Sequence, residues 1–258
     1  MEHTIEISIL GDPAALVPFI LIGFAAQLVD GALGMAYGQI SSTLLISMGV
    51  QPKLASAGVH TAETFTTAVS AVSHVAHRNV DWWLFFKIVI PGVIGGILGA
   101  YILTEAPADL AKPVVLGYLT ALGLYLFYRG VMHRHTERQP KVISPLGLIG
   151  GFLDAAGGGG WGAIVTSNLL VQGSNPRKTI GTVNTAEFFL TVTISATFLA
   201  TLGWEAFTTA TMGLLIGGVL AAPFGAWIAK RVNPDTLLTF VGALVTLTSG
   251  YGLYRALS

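Results

Sequence analysis

An all-α integral membrane protein built from two inverted-topology repeats is the fold class that three features of the sequence predict. The first is composition: of 258 residues, 53% are hydrophobic and 10% charged, with a mean hydropathy of +0.71. A soluble domain carries roughly a quarter charged residues, so a water-facing surface cannot be built from so few. The second is an internal repeat, and the third is an uneven distribution of basic loops. Thirteen basic residues balance thirteen acidic ones, which argues against a nucleic-acid partner. Cysteine is absent, which excludes disulfides, thiolate metal sites and cysteine nucleophiles.

The chain begins Met1-Glu2-His3 and has no Lys or Arg before its first apolar stretch, so a cleaved secretory signal is not expected. Charge-free runs follow at residues 13–29, 31–52, 88–104, 113–128, 142–153, 155–176, 188–204, 206–229 and 236–254, with a more polar stretch over 55–76. A full span needs roughly 20 residues, so the run at 142–153 covers about half of the hydrocarbon core. Glycine-interrupted segments at membrane depth are tolerated only where protein or a cavity surrounds them. Each half therefore predicts two short helices followed by three longer ones. The short pair either crosses fully or forms a re-entrant hairpin.

Shifting the chain by 124 positions aligns residues 30–63 with 154–187 without a gap, and 12 of the 34 pairs are identical. They include Asp30 with Asp154, Gly34 with Gly158, Gly38 with Gly162, Pro52 with Pro176, and Thr61-Ala62-Glu63 with Thr185-Ala186-Glu187. Residues 1–130 and 142–258 are thus read as two copies of one transmembrane unit, joined by a linker at 131–141. That linker is the most basic loop, which places it in the cytoplasm by the positive-inside rule. Counting outward from it puts 10 of the 13 basic residues inside, leaving Lys53, Lys112 and Arg255 outside. Both termini then lie outside, and the loops at Pro52 and Pro176 fall on opposite faces. Inverted repeats with broken helices are typical of secondary transporters with a midplane site.

With its small, Gly-rich first turns (residues 30–34 and 154–160), a Gly-x-x-Pro turn at Gly49 and Gly173, and a Thr-rich helix in each copy, the chain resembles the sulfite exporter TauE/SafE family, also described as the toluene-sulfonate uptake permease group. The first copy departs from the Gly-rich form at Leu33, Met35 and Ala36. The resemblance implies secondary transport, as an exporter in the plasma membrane, of sulfite or a short organosulfonate by alternating access. An ion channel or cation-coupled carrier is the alternative suggested by the excess of intramembrane acids, and a non-transporting scaffold is a third. The partners expected are a small anion, the lipid bilayer and a second copy in a homodimer.

Candidate site residues follow from the cost of polarity in a membrane. A charged group at the centre of a membrane helix costs about 2.5–3.5 kcal/mol, so Glu63 and Glu187 need partners. They are expected either to couple transport to protons or to accept N–H groups at a helix break. Asp30 and Asp154 sit at the breaks as expected caps. His60 and Asn184 precede the glutamates by one turn and share their helix face. With Thr61, Thr185, Gln39, Ser42, Thr166 and Ser167 they form the expected substrate-binding set, near Ser41, Thr43, Trp161 and Asn168. Helix N-termini supply the remaining anion donors. No metal or cofactor is expected, since the second copy replaces the histidine with asparagine. No P-loop, Gly-x-Ser-x-Gly or His-Glu-x-x-His motif points to an enzyme. Trp82, Trp83, Phe85, Tyr101, Tyr125, Tyr128, Trp204, Trp227 and Tyr254 suit an aromatic belt. Gly92, Gly95, Gly96 and Gly99, with Gly213, Gly217 and Gly218, suit close helix packing within the chain or across a dimer.

Overall fold

The computed structural model describes residues 13–132, 140–206, 208–229 and 234–258, and these are helical with short connections. Most of the expected linker, including Arg134 and Arg138, lies outside the described residues, as do the first twelve positions and Lys230 and Arg231. After a 3₁₀ turn at Pro13–Leu16, the first half comprises α1 (Val17–Leu33), α2 (Tyr37–Ser47), α3 (Pro52–Ala76), α4 (Trp82–Glu105) and α5 (Ala108–Val131). The second comprises α6 (Ser144–Gly157), a π-helical turn at Gly162–Thr166 leading into α7 (Ser167–Val171), then α8 (Pro176–Leu202), α9 (Thr209–Ala229) and α10 (Pro234–Leu257). Two short helices followed by three longer ones recur, as the run lengths predict.

Local chemistry sets the boundaries. Gly34 (φ +66) and Gly158 (φ +74) end α1 and α6 in the left-handed conformation, each returning its N–H to the carbonyl of the aspartate four residues back. A side chain at φ > 0 is strained, which explains glycine at both positions. Proline starts α3 and α8, where its missing N–H is no loss. Asp81 caps α4 by accepting the Trp83 and Leu84 N–H groups, and Asn175 caps α8 by accepting that of Lys178.

The halves interlock rather than sit side by side. α1 packs on α9 and α6 on α4, so each half's first helix lies against the other half's fourth. The predicted glycines make this possible within one chain: Gly95 and Gly99 meet the Leu148 and Phe152 carbonyls, and Gly213 and Gly217 meet Phe19 and Ile20. α3 and α8 run antiparallel, as their hydroxyl pairs show. Thr64 pairs with Ser195 at 3.4 Å and Thr67 with Thr191 at 3.3 Å, while Asn184 lies 3.5 Å from Ser70. α5 and α10 are antiparallel too, with Gly123 against Thr246 and Gly130 against Thr239.

α4, α5 and residues 177–202 of α8 are long and apolar enough to cross a membrane alone. α3 has the length but carries Ser56, His60 and Glu63 on a buried face, because it lies between other helices. Val69, Val72, Val114 and Leu247 point outward, as lipid-facing side chains do. The chain is a multi-pass membrane protein. Trp82, Trp83, Tyr101, Tyr128, Trp204 and Tyr254 are exposed near helix ends, consistent with a belt. Phe85 is not among them: it is buried edge-on against Trp82 and Phe189, because its position on α4 faces α8.

Candidate functional site

The two helix breaks meet at the centre of the molecule. Gly38 lies in the first turn of α2, where an added Cβ would stand 2.7 Å from Gly159 Cα in the opposite break. Gly162, at the equivalent position of the second copy, would place its Cβ 2.7 Å from that of Met35 in the first break. Each short helix thus starts against the turn that interrupts the other half. Ala36 takes φ +97 in this turn, where the second copy has Gly160. Ser42 donates to the Gly158 carbonyl and Tyr118 to that of Gly159 at 3.0 Å, pinning the second break from the first half.

The N–H groups exposed at these starts already have acceptors. Asp154 Oδ1 accepts the Trp161 N–H at 2.8 Å, and Asp30 Oδ1 accepts that of Tyr37 at 3.4 Å. Both aspartates reach forward from the last turns of α1 and α6, so they cap the next helix across the break. Glu63 accepts the Gly38 N–H. The four carboxylates of Asp30, Glu63, Asp154 and Glu187 lie near enough to repel one another. Carboxylates therefore hold the positions that an anion at a helix N-terminus would take.

His60 is fully buried. Its Nε2 lies 3.0 Å from Asp154 Oδ2 and its Nδ1 2.7 Å from the Ser56 carbonyl. Ser56 Oγ in turn donates to the Ala155 carbonyl at 2.7 Å, tying α3 to α6. In the second copy Asn184 lies beside Gly34, its Nδ2 3.3 Å from where an added Cβ would stand. Asn184 Oδ1, Gln39 Oε1, Ser41 Oγ and Thr166 Oγ1 are buried with no hydrogen-bond partner. The π-helical turn holding Thr166 is of a kind that recurs at functional sites.

Other expected site residues have partners of their own. Thr61 and Thr185 donate to the Ala57 and Gly181 carbonyls of their own helices, and Asn168 does likewise to Ile164. Ser167 faces the Met35 sulfur at 4.0 Å, and Thr43 pairs with Ser249 at 3.1 Å. Two side chains that the sequence reading left out, Tyr37 and Tyr118, are built into the centre. Tyr37 is buried and donates to the Leu214 carbonyl at 3.0 Å, just as its counterpart Trp161 is buried and donates from Nε1 to that of Val183 at 3.2 Å. The aromatic pairing in the repeat could have marked Tyr37. Tyr118 has no aromatic counterpart and left no such signal.

Two cavities lie elsewhere. One of about 400 Å³ opens at the start of α8 and includes Asp81, Ser174, Lys178 and Thr179. Its lysine is held by the Arg78 and Val80 carbonyls and faces an aspartate, so it offers little net positive charge. The other, about 300 Å³, is an apolar groove between α4, α5 and α6. Neither is lined by the expected substrate-binding residues.

With this geometry in place, comparison with known proteins gives a family. A model of the family described as "Sulfite exporter TauE/SafE" matches residues 19–252. The chain is 43% identical over 243 residues to "Probable membrane transporter protein YtnM" of Bacillus subtilis (strain 168), covering 91% of this chain and 81% of that one. It is 23% identical over 254 residues to "Probable membrane transporter protein YjnA" of the same organism, covering 92% and 99%. No solved structure gives a significant match.

Proposed function

We propose, from the premise that this chain belongs to the sulfite exporter TauE/SafE family, that it exports a small sulfur-containing anion, sulfite or a short organosulfonate, across the plasma membrane by alternating access. The observation that carries this reading is the convergence of two helix starts, one from each half, on a buried centre with unpartnered polar atoms. A sulfonate group needs several fixed donors, and helix N-termini supply them with no cationic side chain. Antiparallel pairing of α3 with α8 and of α5 with α10 supports an inverted relation between units 1–130 and 142–258. Inverted halves rocking about a midplane site would give alternating access.

Glu63 supplies the coupling step. While ionised it occupies the Gly38 N–H; once protonated it gives up that donor more readily to the incoming anion. Glu187 has the equivalent place in the second copy, and His60 and Asn184 flank the anion. Proteoliposomes loaded with sulfite or ethanesulfonate test the function: saturable flux is expected. Current that rises without saturating would indicate a channel, and no flux of any tested anion would favour a scaffold. Glu63→Gln is expected to keep binding while flattening the pH dependence of flux, and Asn184→Leu to weaken binding. A Glu63→Gln variant with an unchanged pH profile would make this carboxylate structural.

A further inference from the structure

We infer that the His60–Asp154 pair is a proton-carrying latch between the two halves, closed by one shared proton and released by the gain or loss of one. The inference builds on the transport reading above, but it stands on different atoms. His60 Nδ1 faces a carbonyl at 2.7 Å, and a carbonyl only accepts, so Nδ1 carries hydrogen. Ser56 Oγ, 3.3 Å away, has its own hydrogen committed to Ala155 and cannot donate to the ring. The imidazole tautomer is thereby fixed.

Nε2 then faces Asp154 Oδ2 at 3.0 Å, a contact that requires one hydrogen between the two atoms. Either the imidazolium donates to the carboxylate or the protonated acid donates to neutral Nε2, and both descriptions hold one shared proton. Its loss sets a lone pair against an anion. A second proton leaves a buried imidazolium beside a neutral acid. Loss removes the bond that joins α3 of the first half to α6 of the second, and gain weakens it by replacing a charged acceptor with a neutral one. Relative motion of the halves must part these atoms or carry them together.

The surroundings fit a proton store. Asp154 on α6, which meets the ring, faces Glu63 on α3 and Glu187 on α8, both of which also face Asp30 on α1, while Tyr37 on α2 approaches Glu63 and Asp30 and Tyr118 on α5 approaches Asp154. Phe198 covers the ring with its centroid 6.5 Å away. The second copy has Asn184 and Asp30 in the equivalent places, and an amide does not titrate. The latch belongs to one half-site only.

The test is nitrogen-15 NMR of histidine-labelled chain in lipid bilayers, recorded against pH. The His60 signals are assigned by subtraction with His60→Gln or, where that variant does not fold, by replacing the other five of the six histidines in turn. Nδ1 is expected to stay protonated throughout, and Nε2 to report a one-proton transition that Asp154→Asn shifts. An Nε2 without hydrogen at every pH, or a transition indifferent to Asp154→Asn, overturns the latch. Ethanesulfonate flux adds a second readout, since this anion does not titrate in the working range. Asp154→Asn is expected to lose at least about tenfold of the stimulation by a pH gradient while retaining exchange at equal pH. Equal loss of both modes means a structural role and overturns the inference. Absence of flux in the wild-type chain would count against the transport reading, whereas the NMR result decides the latch.

Discussion

At the scale of single residues, the centre separates side chains that hold the fold from those available to a ligand. Ser42 donates to the buried Gly158 carbonyl from another part of the chain, whereas Thr61 donates to a carbonyl of its own helix. Removing the first leaves a buried acceptor unmatched; removing the second leaves a carbonyl that the helix already satisfies. Ser42→Ala should therefore lower stability by about 1–3 kcal/mol in detergent unfolding, and Thr61→Ala should stay within about 0.5 kcal/mol. Thr166, the repeat counterpart of Ser42, is fully buried with no partner for its hydroxyl. Thr166→Val should cost no stability and, on the proposed function, should weaken ethanesulfonate binding measured on the purified protein. Asp30 and Asp154 were legible as caps because the repeat aligned them at both breaks. The His60–Asp154 contact was not, since a repeat in sequence gives equivalent positions and says nothing of what touches them.

At the scale of helices, run length foretold which would be short, but not where backbone conformation would break them. Residues 155–176 form one charge-free run of spanning length, and only its Gly-rich start within 154–160 marked a break. The structure divides it into the end of α6, a glycine turn and a short helix, because Gly158, Gly159 and Gly160 all take positive φ. The more polar stretch over 55–76 became most of α3, whose polar face is turned to other helices. The opposed helix starts depend on the missing side chains of Gly38 and Gly162. Gly38→Ala would press a methyl onto the Gly159 backbone, and Gly162→Ala onto Met35. Each should destabilise by about 1–3 kcal/mol, read as a lower melting temperature. Gly117 provides the contrast: it is helical, and its Cβ would meet only Leu253 at 3.9 Å. Gly117→Ala should be neutral or stabilising by up to about 1 kcal/mol, from helix propensity alone. If Gly38→Ala behaved like Gly117→Ala, the breaks would not be in contact.

At the scale of the whole molecule, the positive-inside count predicted which loops share a face, and the structure supplies an independent argument for the same grouping. α3 has 25 residues and so extends about 37 Å, more than the roughly 30 Å of hydrocarbon. Lys53 lies at its first turn. At its far end Asn79 accepts from Arg177 Nε at 2.6 Å, and Lys178 reaches the Arg78 carbonyl at 2.9 Å. The start of α8 is therefore held at the end of α3 opposite Lys53, so these two repeat-equivalent positions belong on opposite faces if α3 crosses the membrane. The interlocked packing of α1 on α9 and α6 on α4 could not be read from charge counts, yet it is compatible with them, because the glycine contacts show each pair running parallel. The native chain has no cysteine, so Lys53→Cys and Arg177→Cys each introduce a single thiol. On intact cells an impermeant maleimide should label Lys53→Cys, while Arg177→Cys should react only after permeabilisation. Labelling with the two reversed would keep the inverted arrangement and overturn the assignment of the basic face to the cytoplasm. Labelling of both from the same side would mean that α3 does not span, and the inverted repeat would fail with it.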